Sequence, residues 1–291
     1  MNILYQLVLR NTRLYLRDKA SVFFSFLSVI IIIFMYVLFL GKMQVDNLNQ
    51  AYDNLEGIDW LVSSWIMAGI LTVSTVTVPL SALGTLINDR ATGVLNDFYT
   101  SPIDRRILAL GYLISAWVIA FIMVGINFII GQIYVIIMGG EILGFMPTLQ
   151  ILGAVLLSIM TFSSLFFYIA LFMKTQNAFS TLATLVGTFI GFLGGIYIPI
   201  GILGKNIQTV MNLLPSAHSV TLIRNIYMQG AIDKVFKNAP AEVLENYKFM
   251  FGLEVHIGDY LMNSFELTIS MIAFGLFFYV LSVLKLSKSK L

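Results

Sequence analysis

The residues best placed to do chemistry lie at 88–103, Asn-Asp-Arg-Ala-Thr-Gly-Val-Leu-Asn-Asp-Phe-Tyr-Thr-Ser-Pro-Ile, between two long apolar runs. Their chemistry is that of docking, not of bond breaking. Val94, Leu95, Phe98 and Tyr99 offer an apolar ridge for a helical contact, and Asp89, Arg90 and Asp97 supply charges that set orientation around its rim. Lipid cannot host these charges or Asp104, Arg105 and Arg106 cheaply, so the segment lies in water. A short wet loop with a sticky ridge meets a soluble partner or is simply a solvated connection.

Covalent and metal chemistry find little support. The chain has no cysteine, and its two histidines, His218 and His256, stand far apart in sequence. Thiolate nucleophiles, disulfides and cysteine metal sites are therefore excluded, and no catalytic or metal-binding constellation is expected. Nothing suggests nucleic-acid binding. Polar groups recur instead inside the apolar runs: Thr72, Ser74, Thr75, Thr77 and Pro79 in one, and Thr181, Thr184, Gly187, Thr188, Gly191 and Gly195 in another. Small residues at four-residue spacing allow close helix packing. Asn127 and Gln132 are expected to hydrogen-bond across helices, and Glu266 lies near the end of a run, where it reaches headgroups.

These residues must be positioned by membrane helices. Of 291 residues, 58% are hydrophobic and 11% charged, against roughly 25% charged in a soluble domain. The reading is an all-α integral membrane protein forming a single transmembrane domain over 1–291. Six segments reach the ~20 apolar residues that cross a bilayer: 22–41, 60–87, 107–138, 149–173, 178–200 and 261–284. Pro79 favours a kink in the second. Arg10, Arg13, Arg17, Lys19, Arg90, Arg105, Arg106, Lys174, Lys285, Lys288 and Lys290 fall on one side, whereas the loop at 42–59 has Lys42 against Asp46, Asp53, Glu56 and Asp59. Positive charge collects inside, so both termini are expected in the cytoplasm.

Residues 1–21 form an amphipathic cytoplasmic helix. Arg10, Arg13 and Arg17 share a stripe, and Leu4, Leu7, Val8, Leu14 and Tyr15 share an apolar face, which suits the inner leaflet's lipid interface. Residues 201–260 are expected outside. Two short apolar pieces there, 207–214 and a helix capped by Ser216 and running to Tyr227, form a re-entrant hairpin before the last span, followed by a polar loop over 231–260. His218 and Arg224 fall on the hairpin, either as ordinary polar residues near headgroups or, alternatively, in a substrate-gating role.

This pattern resembles the permease subunit of a type-2 ABC exporter along nearly the whole chain. Asp89-Arg90-Ala91-Thr92-Gly93-Val94-Leu95 with Tyr99-Thr100-Ser101-Pro102 is similar to the family's acid-x-x-x-Gly-Thr-Leu…Ser/Thr-Pro element in the first cytoplasmic loop. Aspartate stands where the family usually has glutamate, and Val94 replaces a common threonine. Gly194-Gly195-Ile196-Tyr197-Ile198-Pro199, then Leu214-Pro215 and Leu222-Ile223-Arg224, resembles the family's fifth-span exit and hairpin.

The resemblance implies that 88–106 is a coupling loop seated in a separate ATPase subunit through Asp89, Arg90, Gly93, Val94, Leu95, Asp97, Phe98, Tyr99 and Pro102. It implies two copies of that ATPase, a second permease copy forming a homodimer, and a central path bordered by Thr72, Thr75, Pro79, Thr184, Thr188 and Gly191. Cargo would be amphipathic or lipid-like: a drug, an antimicrobial peptide or an envelope precursor. No cofactor is expected on this chain; ATP and magnesium belong to the partner. The nearest approach to a phosphate-binding loop, Gly204-Lys205, fails, because Pro199 takes the first glycine position and Asn206 follows the lysine. The expected location is a bacterial plasma membrane. A non-transporting sensor or scaffold subunit is an alternative, and an ion-driven carrier a weaker one, since neither mid-membrane charges nor an inverted repeat is visible.

Overall fold

The computed structural model describes residues 3–51 and 56–288. Asp53 and Lys290, used above for orientation, and the side chains of Tyr99 and Lys288 lie outside the described residues. The amphipathic helix is α1 (Ile3–Arg17). Asp18 then caps α2 (Lys19–Met35), its carboxylate accepting from the amides of Ala20 and Ser21. A π-turn at Tyr36–Leu40 leads into α3 (Gly41–Ala51), so the first membrane helix projects beyond the predicted residue 41.

Helix α4 (Ile58–Ala91) has 34 residues and continues through Pro79; at 1.5 Å per residue it is about 51 Å long. It is the axis of the molecule, packing against α6 (Arg105–Ile137), α7 (Phe145–Ala170), α8 (Gln176–Leu193) and α10 (Pro215–Tyr227). Between α4 and α6 lies the short α5 (Val94–Thr100), entered through Gly93 at φ +80°. That backbone conformation is costly for any residue with a Cβ.

Five described helices are long and apolar enough to cross a membrane: the first, α4, α6, α7 and α13 (Ser264–Lys288). The predicted fifth span, 178–200, is the 18-residue α8, which ends at Leu193 because Gly194 and Gly195 turn the chain. At about 27 Å it is slightly shorter than the ~30 Å hydrocarbon core.

The hairpin region differs from its expectation. Helices α9 (Lys205–Asn212) and α10 are present, but α10 begins at Pro215 after Leu214, without a side-chain cap from Ser216. Nor is 231–260 a polar loop. It folds into α11 (Gln229–Val235), α12 (Ala241–Met250) and a two-stranded ribbon, β1 (His256–Ile257) with β2 (Tyr260–Leu261). Tyr247, buried, stacks on Phe251 with centroids 4.5 Å apart, and Phe236 lies beside it. Aromatic side chains interspersed among the charges gave this segment a core.

Glu266 is partly exposed at the start of α13. It accepts from the Asn263 amide and the Tyr260 hydroxyl, as an N-terminal capping carboxylate. Asn127 does bond across helices, to Ser74 at 3.0 Å, whereas Gln132 accepts from the Leu143 amide in the following loop.

Candidate functional site

At the basic end of the bundle, consecutive residues closing α4 grip three other helices. Asp89 faces α1 and α6: Arg10 donates Nη1 to Oδ2 at 2.6 Å and Nη2 to Oδ1 at 3.0 Å, and the Tyr112 hydroxyl donates to Oδ2 at 2.5 Å. The same guanidinium donates to Asn11, whose amide reaches Ser115 on α6. A bidentate carboxylate–guanidinium pair fixes direction as well as distance, and the Asp89 bonds push the Arg10 pKa above its ordinary value. Arg90 turns the other way and donates to the carbonyls of Ala170 and Met173, capping the end of α7.

Asp89 is thus 3% exposed and internal, which corrects the expectation of a rim charge. Leu95 is also turned into the core rather than outward, and Phe98 lies partly covered beneath Arg10, whose guanidinium is 5.4 Å from its ring. Among the described side chains, the surface that α5 and its flanks present includes Asn96, Asp97, Thr100 and Pro102, with Val94 half-buried. Of the helix α1 arginines, Arg13 and Arg17 are exposed and Arg10 is engaged; Leu7 and Tyr15 are buried with Asn11 between them, while Leu14 faces outward. Helix α1 therefore belongs to the bundle on one face, with Leu7 pressed against Gly111 of α6.

The second feature is a groove between α2, α4 and α8. Two clefts, of about 450 and 790 Å³, share Ser21, Thr77, Ser81 and Ala183 as walls. Between Trp60 and Ile87, α4 is buried except at Thr77, Ser81, Gly84 and Thr85. Opposite them, Gln176, Ser180, Thr184 and Thr188 recur every fourth residue on α8, all exposed, and four-residue spacing puts them on one face.

Here the predicted path is corrected in part. Thr184 and Thr188 line the groove. Thr72, Thr75 and Pro79 do not: they are buried in the core, and the two hydroxyls donate to the Ala68 and Thr72 carbonyls of their own helix. Thr77 is about 140° around the helix from Thr72, so apolar-run composition alone could not distinguish the open face. The four-residue recurrence on α8 is the signal that would have found it.

Gly191 is not a lining residue either. It seats the Tyr197 ring, which occupies the place of a Cβ. Gly191→Ala is expected to displace that ring and cost about 1–3 kcal/mol, the usual range for overpacking, read as a lower thermal midpoint in detergent. Gly187, with open space before it, should accept alanine without loss.

At the opposite end Arg224 is wholly buried, contrary to a headgroup position. It donates to the carbonyls of Gly195 (2.8 Å) and Phe251 (2.9 Å) and lies 4.8 Å over the Trp65 ring. Trp65 donates to the same Phe251 carbonyl. One side chain thereby ties the exit of α8, the α12 region and α4 to the hairpin. His218, also buried, bridges the Asn212 carbonyl and Ser270 of α13. Among the described residues no group of three acidic or histidine side chains is placed to hold a metal.

The sequence model of one protein family, described as ABC-2 type transporter, matches residues 3–228, which include both the basic-end junction and the groove. No curated protein matches the chain.

Proposed function

Because this chain belongs to the ABC-2 type transporter family as a permease subunit, we propose that it is the membrane half of an ATP-driven exporter for amphipathic cargo. The observation that carries the reading is the junction beneath α5. A partner ATPase seated on Asn96, Asp97, Thr100 and Pro102 presses on a seven-residue helix whose base is locked to α1 and α6 through Asp89 and to α7 through Arg90. Displacement of α5 is then shared by three helices instead of being absorbed in a loop.

Driving such a bundle from a 1:99 to a 99:1 preference needs about 5.5 kcal/mol of bias, which this chain takes from the partner's ATP cycle. Two permeases and two ATPases make up the assembly. The exposed face of α8, with Leu185, Phe189 and Phe192 beside the threonines, and the little-buried α2 meet the second copy and close the groove into a path. Both chain termini lie in the cytoplasm, in keeping with the basic residues at that end.

Co-purification with an ATPase, followed by ATP-dependent accumulation of cargo in inverted vesicles, tests the proposal. An ATPase complex that hydrolyses ATP without moving any amphipath would favour a sensor or scaffold role instead.

A further inference from the structure

The groove's lining carries an uneven chemistry. Among the described residues that wall the two clefts, Asp18 is the sole carboxylate, and none is lysine, arginine or histidine. Five of the ten hydroxyl protons on these walls are already committed. Thr77 donates to the Val73 carbonyl, Thr184 to Ser180, Thr188 to Thr184 and Ser25 to Val22, while Ser21 donates to Asp18 at 2.7 Å. A hydroxyl that gives its proton to its own helix keeps only lone pairs for a ligand. At those five positions the walls present acceptor oxygens, beside the amides of Asn88 and Gln176, which can accept as well as donate.

Aromatic faces add to the same preference. Phe179 lies toward the basic end, and Phe192 and Tyr197 toward the other; ring faces attract cations. The buried Tyr15 hydroxyl lies within reach of Ser25 and Ser81 but makes no well-aligned hydrogen bond to either. A buried polar atom of this kind in a polar cleft calls for water or a ligand. Asp18 is accessible at the mouth, and its bonds from Ser21 hold its carboxyl below the ordinary range, so it stays ionised.

We propose that this groove selects amphipathic cargo bearing a protonated amine, with the Asp18 carboxylate receiving the ammonium group at the mouth and the hydroxyl rows of α4 and α8 accepting its hydrogen bonds along the way. Anionic amphipaths such as lipid phosphates and pyrophosphates are disfavoured. They would enter a low-dielectric cleft with no cation to pair them, and burying an unpaired charge is heavily penalised. Arg17 and Lys19 flank Asp18 in sequence but do not line the clefts. The proposal rests on the groove being the cargo path.

The test compares ligands of one chain length on the permease in nanodiscs: dodecylamine, dodecanol and dodecyl phosphate, each displacing a fluorescent long-chain amine. Dodecylamine should displace it best, with dodecyl phosphate weaker by at least about fivefold, the ratio expected for an accessible charge pair. Asp18→Asn should remove most of that preference. Asparagine still caps α2, so its thermal midpoint stays with the wild type, whereas Asp18→Ala loses cap and preference together. Equal or stronger displacement by the phosphate, or an unchanged preference in Asp18→Asn, would overturn the assignment. The two readings fail separately. Amine preference without ATP-driven amine movement removes the exporter and keeps the site; ATP-driven movement of the phosphate alone does the reverse.

Discussion

Arg224→Met lowers the thermal midpoint of the permease more than any other single change considered, by about 7 °C in detergent. The guanidinium is entirely buried and makes two short bonds to backbone carbonyls. Each charge-assisted bond contributes about 1.5–3 kcal/mol. The Gly195 carbonyl loses its donor outright, while Phe251 keeps Trp65 and Gly252 keeps Thr221, so the net loss is about 4 kcal/mol. For a chain of this size that corresponds to roughly the stated shift. Arg224→Lys preserves charge but not the planar fork that reaches two carbonyls at once, so it should recover less than half. A midpoint within about 2 °C of wild type for Arg224→Met would show that the hairpin is held by its apolar contacts alone.

The second large effect falls at Asp89. Asp89→Asn keeps the shape and removes the charge that orients Arg10, and with it the link from α4 to α1. Because Arg10 is about a third exposed whereas Asp89 is not, the loss is less than the 3–5 kcal/mol of a fully buried broken pair, about 2 kcal/mol. The functional effect is larger than the stability effect. ATP hydrolysis by the assembled complex should continue while cargo movement falls at least about tenfold, an ordinary magnitude for a coupling interaction. Arg10→Met should be milder in stability, since Tyr112 still satisfies Asp89. The double variant should lose less than the sum of the two, because both remove one interaction. Strict additivity would mean that the two side chains act independently.

How far the sequence foretold this architecture follows from what periodicity reports. Long apolar runs located the membrane helices to within a few residues, and the arginine stripe located α1. The Gly194-Gly195 pair, where α8 stops, was visible but read as part of a span. Burial of polar residues was the harder matter. Asp89 and Arg90 sit among charges that look like a solvated loop, yet the α4 backbone carries them another turn into the bundle, where α1 and α7 supply their partners. Arg224 was misplaced for the same reason: a cation in a short helix outside the long apolar runs gives no sign that three carbonyls converge on it. Thr72 and Thr75 differ from Thr77 only in azimuth, which composition cannot report. Leu95 was an apolar residue taken for a docking surface when it belonged to the core.

The central claim is that force enters at α5 from a subunit on the cytoplasmic side. The chain has no native cysteine, so Asn96→Cys, at an exposed position on α5, gives a unique probe. A membrane-impermeant maleimide should label it in inverted vesicles but not in intact cells, and a bound ATPase should protect it. Labelling from outside intact cells, or labelling in inverted vesicles that a bound ATPase leaves unchanged, would contradict the account.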